Sequence, residues 1–175
     1  MADVMGLLLE QDIKQLQYLS SQVIDGIIME IGTFRGLSAT VMASTMRGDS
    51  YLITIDNFES DVEGEKPDCN DMVNNLNNVG VKKKVIVVIS KSKTFCKFWN
   101  QQIDLLFIDG AHDYENVSRD FNLWSKFVKV KGKVAFHDYN NSHPDVKTFC
   151  DEIREKEEWE FESLVGSVIT FRRAE

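Results

Sequence analysis

Residues 103–139, IDLLFIDGAHDYENVSRDFNLWSKFVKVKGKVAFHDY, constrain this chain more than any other stretch. Two apolar runs, Leu105–Ile108 and Lys133–Phe136, each lead into an aspartate and a histidine. The first reaches Asp109 and then His112; the second reaches His137 and Asp138. The residues between them carry helix-like spacing, so the stretch reads as a strand–helix–strand unit. Such crossovers are right-handed and leave the two strands parallel. Both carboxyl ends then open on the same sheet edge, about 4.8 Å apart if the strands are neighbours. Open α/β sheets bind their ligands at that edge. Two acids and two imidazoles are therefore expected to converge where a ligand would sit.

The rest of the chain extends the same alternation. Val4–Ser20 places Met5, Leu8, Leu9, Ile13, Leu16 and Leu19 at helical spacing and predicts an amphipathic leading helix within residues 1–22. Short apolar runs follow at Gly26–Ile31, Tyr51–Ile55 and Lys84–Ile89. Helical segments are expected at Leu37–Met46, Asn70–Asn78, Ser92–Gln101 and His143–Lys156, with Pro144 in the first turn of the last. The end of the chain, WEFESLVG and SVITFRR around Gly166, reads as an antiparallel hairpin. Strands that alternate with helices predict a mostly parallel sheet covered on both faces. The unbroken apolar runs IIMEI, VIVVI and LLFI suit burial on both sides. With 175 residues and neither repeats nor a Pro/Gly/Ser linker, a single domain over 1–175, with its core in 25–173, is the simplest expectation.

Composition narrows the partners. The net charge is −8 and the densest basic run is Lys82–Lys84, so a nucleic-acid surface is not expected. Cys69, Cys96 and Cys150 form no CxxC pair, which suits a reducing, cytoplasmic setting. No signal-peptide pattern or span of roughly 20 apolar residues is present, so no membrane partner is expected.

A second cluster of chemistry lies nearer the start. MEIGTFRG, residues 29–36, follows a strand and enters a helix. Gly32 and Gly36 do not satisfy the dinucleotide spacing GxGxxG, but a glycine turn still allows close approach of backbone to a ligand. Glu30 is an acid in an apolar strand end and needs a partner if buried. Asp56 closes the next strand, where an acid can accept from ribose hydroxyls. A plain strand-to-helix turn and a plain loop aspartate are the alternatives.

Together EIGTFRGLS, LITIDN, FIDGAHDYE and FHDY resemble the class I S-adenosylmethionine-dependent methyltransferases, and more narrowly methyltransferase family 24, over about residues 25–173. That family includes metal-dependent O-methyltransferases acting on sugar hydroxyls. The resemblance implies a three-layer Rossmann-like sheet of order 3-2-1-4-5-7-6. It implies that Glu30, Gly32, Thr33, Gly36, Asp56, Ser92 and Asp109 face S-adenosylmethionine. It implies Asp109, His137 and Asp138 as ligands of magnesium or manganese, and His112 as general base beside Asp109 and Asp138. Relatives often carry an acid where His137 stands, and an imidazole there makes the site less hard. The turn ISKS, 89–92, places Lys91 where relatives use an acid on the adenine amino group, leaving Ser92 or backbone carbonyls as substitutes. The expected activity is O-methylation of a small-molecule or sugar hydroxyl. A degenerate cofactor-binding domain serving as a partner subunit is the alternative, homo-oligomerisation stays open, and a sugar-nucleotide enzyme is a weaker third reading.

Overall fold

The structure, a computed structural model, describes residues 8–59 and 68–175. Each apolar run becomes a strand: β1 Ile27–Ile31, β2 Tyr51–Asp56, β3 Val85–Ile89, β4 Ile103–Ile108, β5 Val128–Phe136, β6 Trp159–Val165 and β7 Val168–Arg173. They form one sheet of order β3-β2-β1-β4-β5-β7-β6. The first five strands are parallel, and β7 runs antiparallel to both β5 and β6. The expected topology holds, including the terminal hairpin at the edge.

Side chains alternate across the sheet with period two, and this decides what each face covers. Met29, Ile31, Leu106, Ile108, Val134 and Phe136 pack with helix α5 (Tyr114–Trp124) and helix α6 (Pro144–Arg154) through Phe121, Trp124, Phe149 and Ile153. Ile28, Leu52, Leu105, Phe107 and Ala135 face helices α1 (Glu10–Ser21), α2 (Leu37–Thr45) and α3 (Cys69–Val79) through Leu16, Leu19, Met42, Met72 and Leu76. The same alternation puts Glu30 on the side of Ile28, Asp109 on the side of Phe107 and His137 on the side of Ala135.

Three elements differ from expectation. VIVVI is not buried on both faces: β3 is the outer strand, with a neighbour on one side only, and Ile86 and Ile89 are exposed. β5 begins at Val128, five residues before Lys133, because Lys129–Gly132 continue the strand through a bulge. Its register against β4 shifts between Ile103 and Leu105, and Lys131 takes a positive φ of 64°. Lysines and a glycine read as loop, but a β-bulge accepts both. The 92–101 segment is not one helix; α4 (Ser92–Phe95) stops after four residues and continues as a 3₁₀ turn, Cys96–Phe98. The leading helix starts at Glu10; residues 4–7 of its expected span lie outside the described residues. Among the described residues, no helix is long and apolar enough to cross a membrane.

Candidate active site

Four strand ends meet at one edge, and β1 and β4 touch there. Gly32 leaves β1 with φ +91°, and its N–H donates to the Ile55 carbonyl at 3.0 Å. A Cβ at this position would lie 2.0 Å from the Asp109 carbonyl oxygen. The glycine is therefore required by the crossing of two backbones. Gly36 also has a positive φ, 78°, and a Cβ there would lie 2.6 Å from Met72 Cγ of α3.

The acids of this β1–β2 half are turned toward their own scaffold. Asp56 accepts from three backbone N–H groups: Thr33 at 2.8 Å and Phe34 at 2.9 Å on Oδ2, and Phe58 at 2.7 Å on Oδ1. A carboxylate offers about four acceptor positions, so one stays available. Glu30 is 0% exposed. The Thr54 hydroxyl donates to its Oε2, the Thr33 hydroxyl bonds to Thr54 in turn, and Oε1 has no partner. Burial pushes the Glu30 carboxyl up to about 8, and the charges of Asp109 and Asp56 add to the rise. It is thus protonated at neutral pH. Ser92 is engaged as well, donating to Asp120 Oδ1 at 2.7 Å and accepting from Trp124 Nε1 at 3.0 Å. Lys91 lies 3.5 Å from Glu59 Oε2, both exposed.

The β4–β5 half is organised in the opposite way. His137 N–H donates to the Ile108 carbonyl at 3.1 Å, which holds the two strand ends together. The His137 ring then meets three carboxylates. Nδ1 lies 3.1 Å from Asp109 Oδ1 and 3.1 Å from Asp138 Oδ2, and Nε2 lies 3.4 Å from Asp12 Oδ2. Burial opposes its charge, but Asp109 and Asp138 overrule burial and push the imidazole up to about 11. Asp138 has φ 61°, a conformation that non-glycine residues rarely hold and that clusters at functional sites. Its Oδ2 also meets His112 Nε2 at 2.9 Å. Burial works to raise the Asp138 carboxyl, yet hydrogen bonds from His112 and His137 hold it well below the usual carboxylate range. The hydrogen bond to Asp138, against a smaller effect of burial, raises His112 above its ordinary value. His112 is 46% exposed at its side chain and so remains reachable from solvent.

Three residues near these groups were not apparent in the sequence. Asp12, on α1, is 0% exposed. It accepts from Leu9 N at 3.0 Å and from Ser167 N at 2.7 Å, besides facing His137. A signal was present: Asp12 shares the buried stripe of Leu16 and Leu19, an unusual place for an acid. Asp120 is a buried acid of α5 whose carboxyl burial raises. His143, expected only as a helix-start residue, does precede α6, and its ring lies 4.5 Å from that of His112. Tyr114 and Tyr139 both turn their hydroxyls to α6, at Glu152 and Asp151.

Asp109 Oδ1, His137 Nδ1 and Asp138 Oδ2 fit a divalent cation. These ligand atoms lie within 4.8 Å of one another. The two 3.1 Å separations suit adjacent ligands of a six-coordinate ion, which are about 3 Å apart when bonds are about 2.1 Å. Asp12 on Nε2 supplies the outer acceptor that fixes a ligating imidazole. With His137 doubly protonated, its Nδ1 proton stands between the two carboxylates where a cation would lie.

The sheet order and the acids at its strand ends define a Rossmann-like methyltransferase domain. Methyltransferase family 24, described as a methyltransferase domain, matches residues 29–139, more than half of the chain, and the chain belongs to that family. Solved structures share the fold. The O-methyltransferase of Bacillus cereus in complex with SAH has a TM-score of 0.74 at 16% identity, over 97% of this chain and 83% of that one. The O-methyltransferase TomG of Streptomyces achromogenes in complex with SAM has a TM-score of 0.72 at 18% identity, over 99% and 83%. An rRNA methylase of Streptococcus thermophilus has a TM-score of 0.69 at 8% identity, over 97% and 100%. An uncharacterized protein of Acanthamoeba polyphaga mimivirus is 51% identical over 39 residues, 22% of this chain and only 18% of that protein's length.

Proposed function

We propose that this chain transfers a methyl group from S-adenosylmethionine to a hydroxyl of a small molecule, with a divalent cation, magnesium or manganese, held by Asp109, His137 and Asp138. The observation that carries this reading is the convergence of those three residues and His112 beside the Gly32 turn, in a chain of a methyltransferase family. Solved O-methyltransferases of the same fold that hold SAM or SAH support the choice of methyl donor. The sulfonium supplies an activated methyl group, and a bound cation would polarise the acceptor hydroxyl.

The chain's own residues then have two tasks. Positioning is the larger, since in-line transfer depends mainly on proximity. Gly32 lets the backbone of the β1 turn lie against β4, and the remaining acceptor position of Asp56 is available to a ribose hydroxyl. The second task is to take the hydroxyl proton. Asp138 holds His112 Nε2–H and leaves Nδ1 as the acceptor, as a carboxylate does for a catalytic imidazole. The acidic surface, net charge −8, favours a small-molecule acceptor over RNA.

A second reading is a non-catalytic domain that retains the fold. The three backbone bonds on Asp56 and the place of Lys91 favour it. Calorimetry with S-adenosylhomocysteine separates the two. Micromolar binding by the wild type, lost in Asp56→Ala, is expected; no binding at millimolar ligand would exclude methyl transfer. Turnover of a hydroxyl panel with and without chelator then tests the cation.

A further inference from the structure

We propose a second cation site, formed by His112, Asp138 and His143, that takes a borderline transition metal of the zinc type and, when filled, removes the base. His112 Nε2 lies 2.9 Å from Asp138 Oδ2, and His143 Nδ1 lies 3.4 Å from Asp138 Oδ1. One carboxylate thus stands between two imidazoles whose ring centres are 4.5 Å apart. One donor atom from each of the three residues lies within 4.8 Å of the other two. His143 Nδ1 is buried and makes no hydrogen bond, although it faces the carboxylate. A polar atom out of water without a partner costs free energy that a bound cation would offset. Donors of a four-coordinate zinc are about 3.3 Å apart with bonds of about 2.0–2.1 Å, so both imidazole–carboxylate separations are already near that spacing.

The backbone presents these rings in place. Asp138 leaves β5 at φ 61°, Asn140 N donates to the Asp138 carbonyl at 2.8 Å, and Asn140 Oδ1 accepts from Ser142 N and His143 N at 2.8 and 3.2 Å.

The donor chemistry separates this site from its neighbour. Asp109, His137 and Asp138 offer two carboxylates and one imidazole; His112, Asp138 and His143 offer one carboxylate and two imidazoles. Oxygen-rich sets suit magnesium and manganese, and imidazole-rich sets suit zinc. The sites share Asp138, so zinc would draw on a carboxylate of the first while capturing His112 Nε2. With Nε2 on the metal, the single proton of the neutral ring must sit on Nδ1, and His112 cannot accept another. Only this inhibitory consequence rests on the proposed methyl transfer; zinc binding stands apart from it.

The experiment uses the untagged full chain, with zinc alone and with cobalt as its spectroscopic stand-in. The chain has three histidines, His112, His137 and His143, so each imidazole can be followed by NMR. Zinc is expected to shift His112 and His143 and leave excess magnesium unable to displace it. Cobalt is expected to produce a visible band that His143→Ala weakens at least tenfold while Asp109→Asn retains it. His143→Gln serves where the alanine variant melts early. Zinc that binds His143→Ala and His143→Gln as tightly as wild type, or that shifts His137 alone, or that fails to bind wild type, overturns the site. Where methyl transfer is measurable, zinc should inhibit it and His143→Ala should escape; equal inhibition of both would refute the link to His112. Failure of methyl transfer itself leaves the cobalt and NMR results intact.

Discussion

Asp56 and Asp109 end neighbouring halves of the same sheet, and they keep opposite company. Asp56 is surrounded by neutral backbone N–H groups, three of them. Asp109 faces an imidazole that also faces Asp138 and Asp12. In the β1–β2 half the acids serve the turn: Asp56 holds it in shape and Glu30 is protonated behind it. In the β4–β5 half they serve each other through histidine, so charge is concentrated and poised to move a proton or meet a cation. Equivalent places in a sheet do not confer equivalent chemistry; the hydrogen-bond partners decide whether a carboxylate builds or reacts.

The sharpest way to break this comparison is Asp138→Asn. It should cut methyl transfer roughly 10²–10⁴-fold while thermal melting shows a folded chain. The pH profile gives the sign. His112 must be neutral to accept a proton, and Asp138 raises its pKa, so activity should appear as pH rises through a value above 6.5. Loss of Asp138 should move that limb downward. The stability His112 gains from Asp138 runs the other way: present below 6.5 and lost as pH rises past the raised value. An unmoved limb would take His112 out of the base role.

Gly32→Ala comes next. A positive φ and a backbone oxygen 2.0 Å from the new Cβ leave no room. A loss of about 3 kcal/mol or more in urea unfolding is expected, with cofactor affinity falling because the turn moves. Asp56→Ala should cost about 1–3 kcal/mol even without cofactor, since three N–H groups lose their acceptor. If Asp56→Ala melts like wild type and loses only S-adenosylhomocysteine binding, the contrast between building and reacting acids fails.

The last test concerns Glu30, which lies behind the turn and takes no part in the proposed chemistry. Its folded-state pKa, about 8, lies above the ordinary 4.5, so the native chain binds the extra proton. Stability should therefore fall as pH rises from 4.5 to 8, by at most about 1.4 kcal/mol per unit. Glu30→Gln should flatten that slope in urea titrations at pH 5, 6.5 and 8.

Much of the fold was legible because it rests on local signals. Runs such as IIMEI and LLFI announce buried strands, and Gly80 after Val79 closes its helix in the left-handed conformation; VIVVI gave the strand but not its exposed place at the sheet edge. The order of the sheet followed from family resemblance alone; crossover handedness gave only the parallel course of β4 and β5. The early start of β5 was hidden because Lys129–Gly132 resemble a loop, and their pairing depends on a bulge that only the neighbouring strand can stabilise.

The sequence alone determined the alternation of strands and helices, the acids and histidines at the ends of β4 and β5, and the glycine turn after β1. Short-range spacing and backbone preference suffice for these. The tertiary structure decided what each group faces. Asp12 reaches His137 across 125 positions of chain, Gly32 meets the Asp109 carbonyl, and Asp138 is set between His112 and His143. No local pattern encodes such meetings, because they arise where strands distant in sequence are laid side by side and buried groups must find their partners in one another.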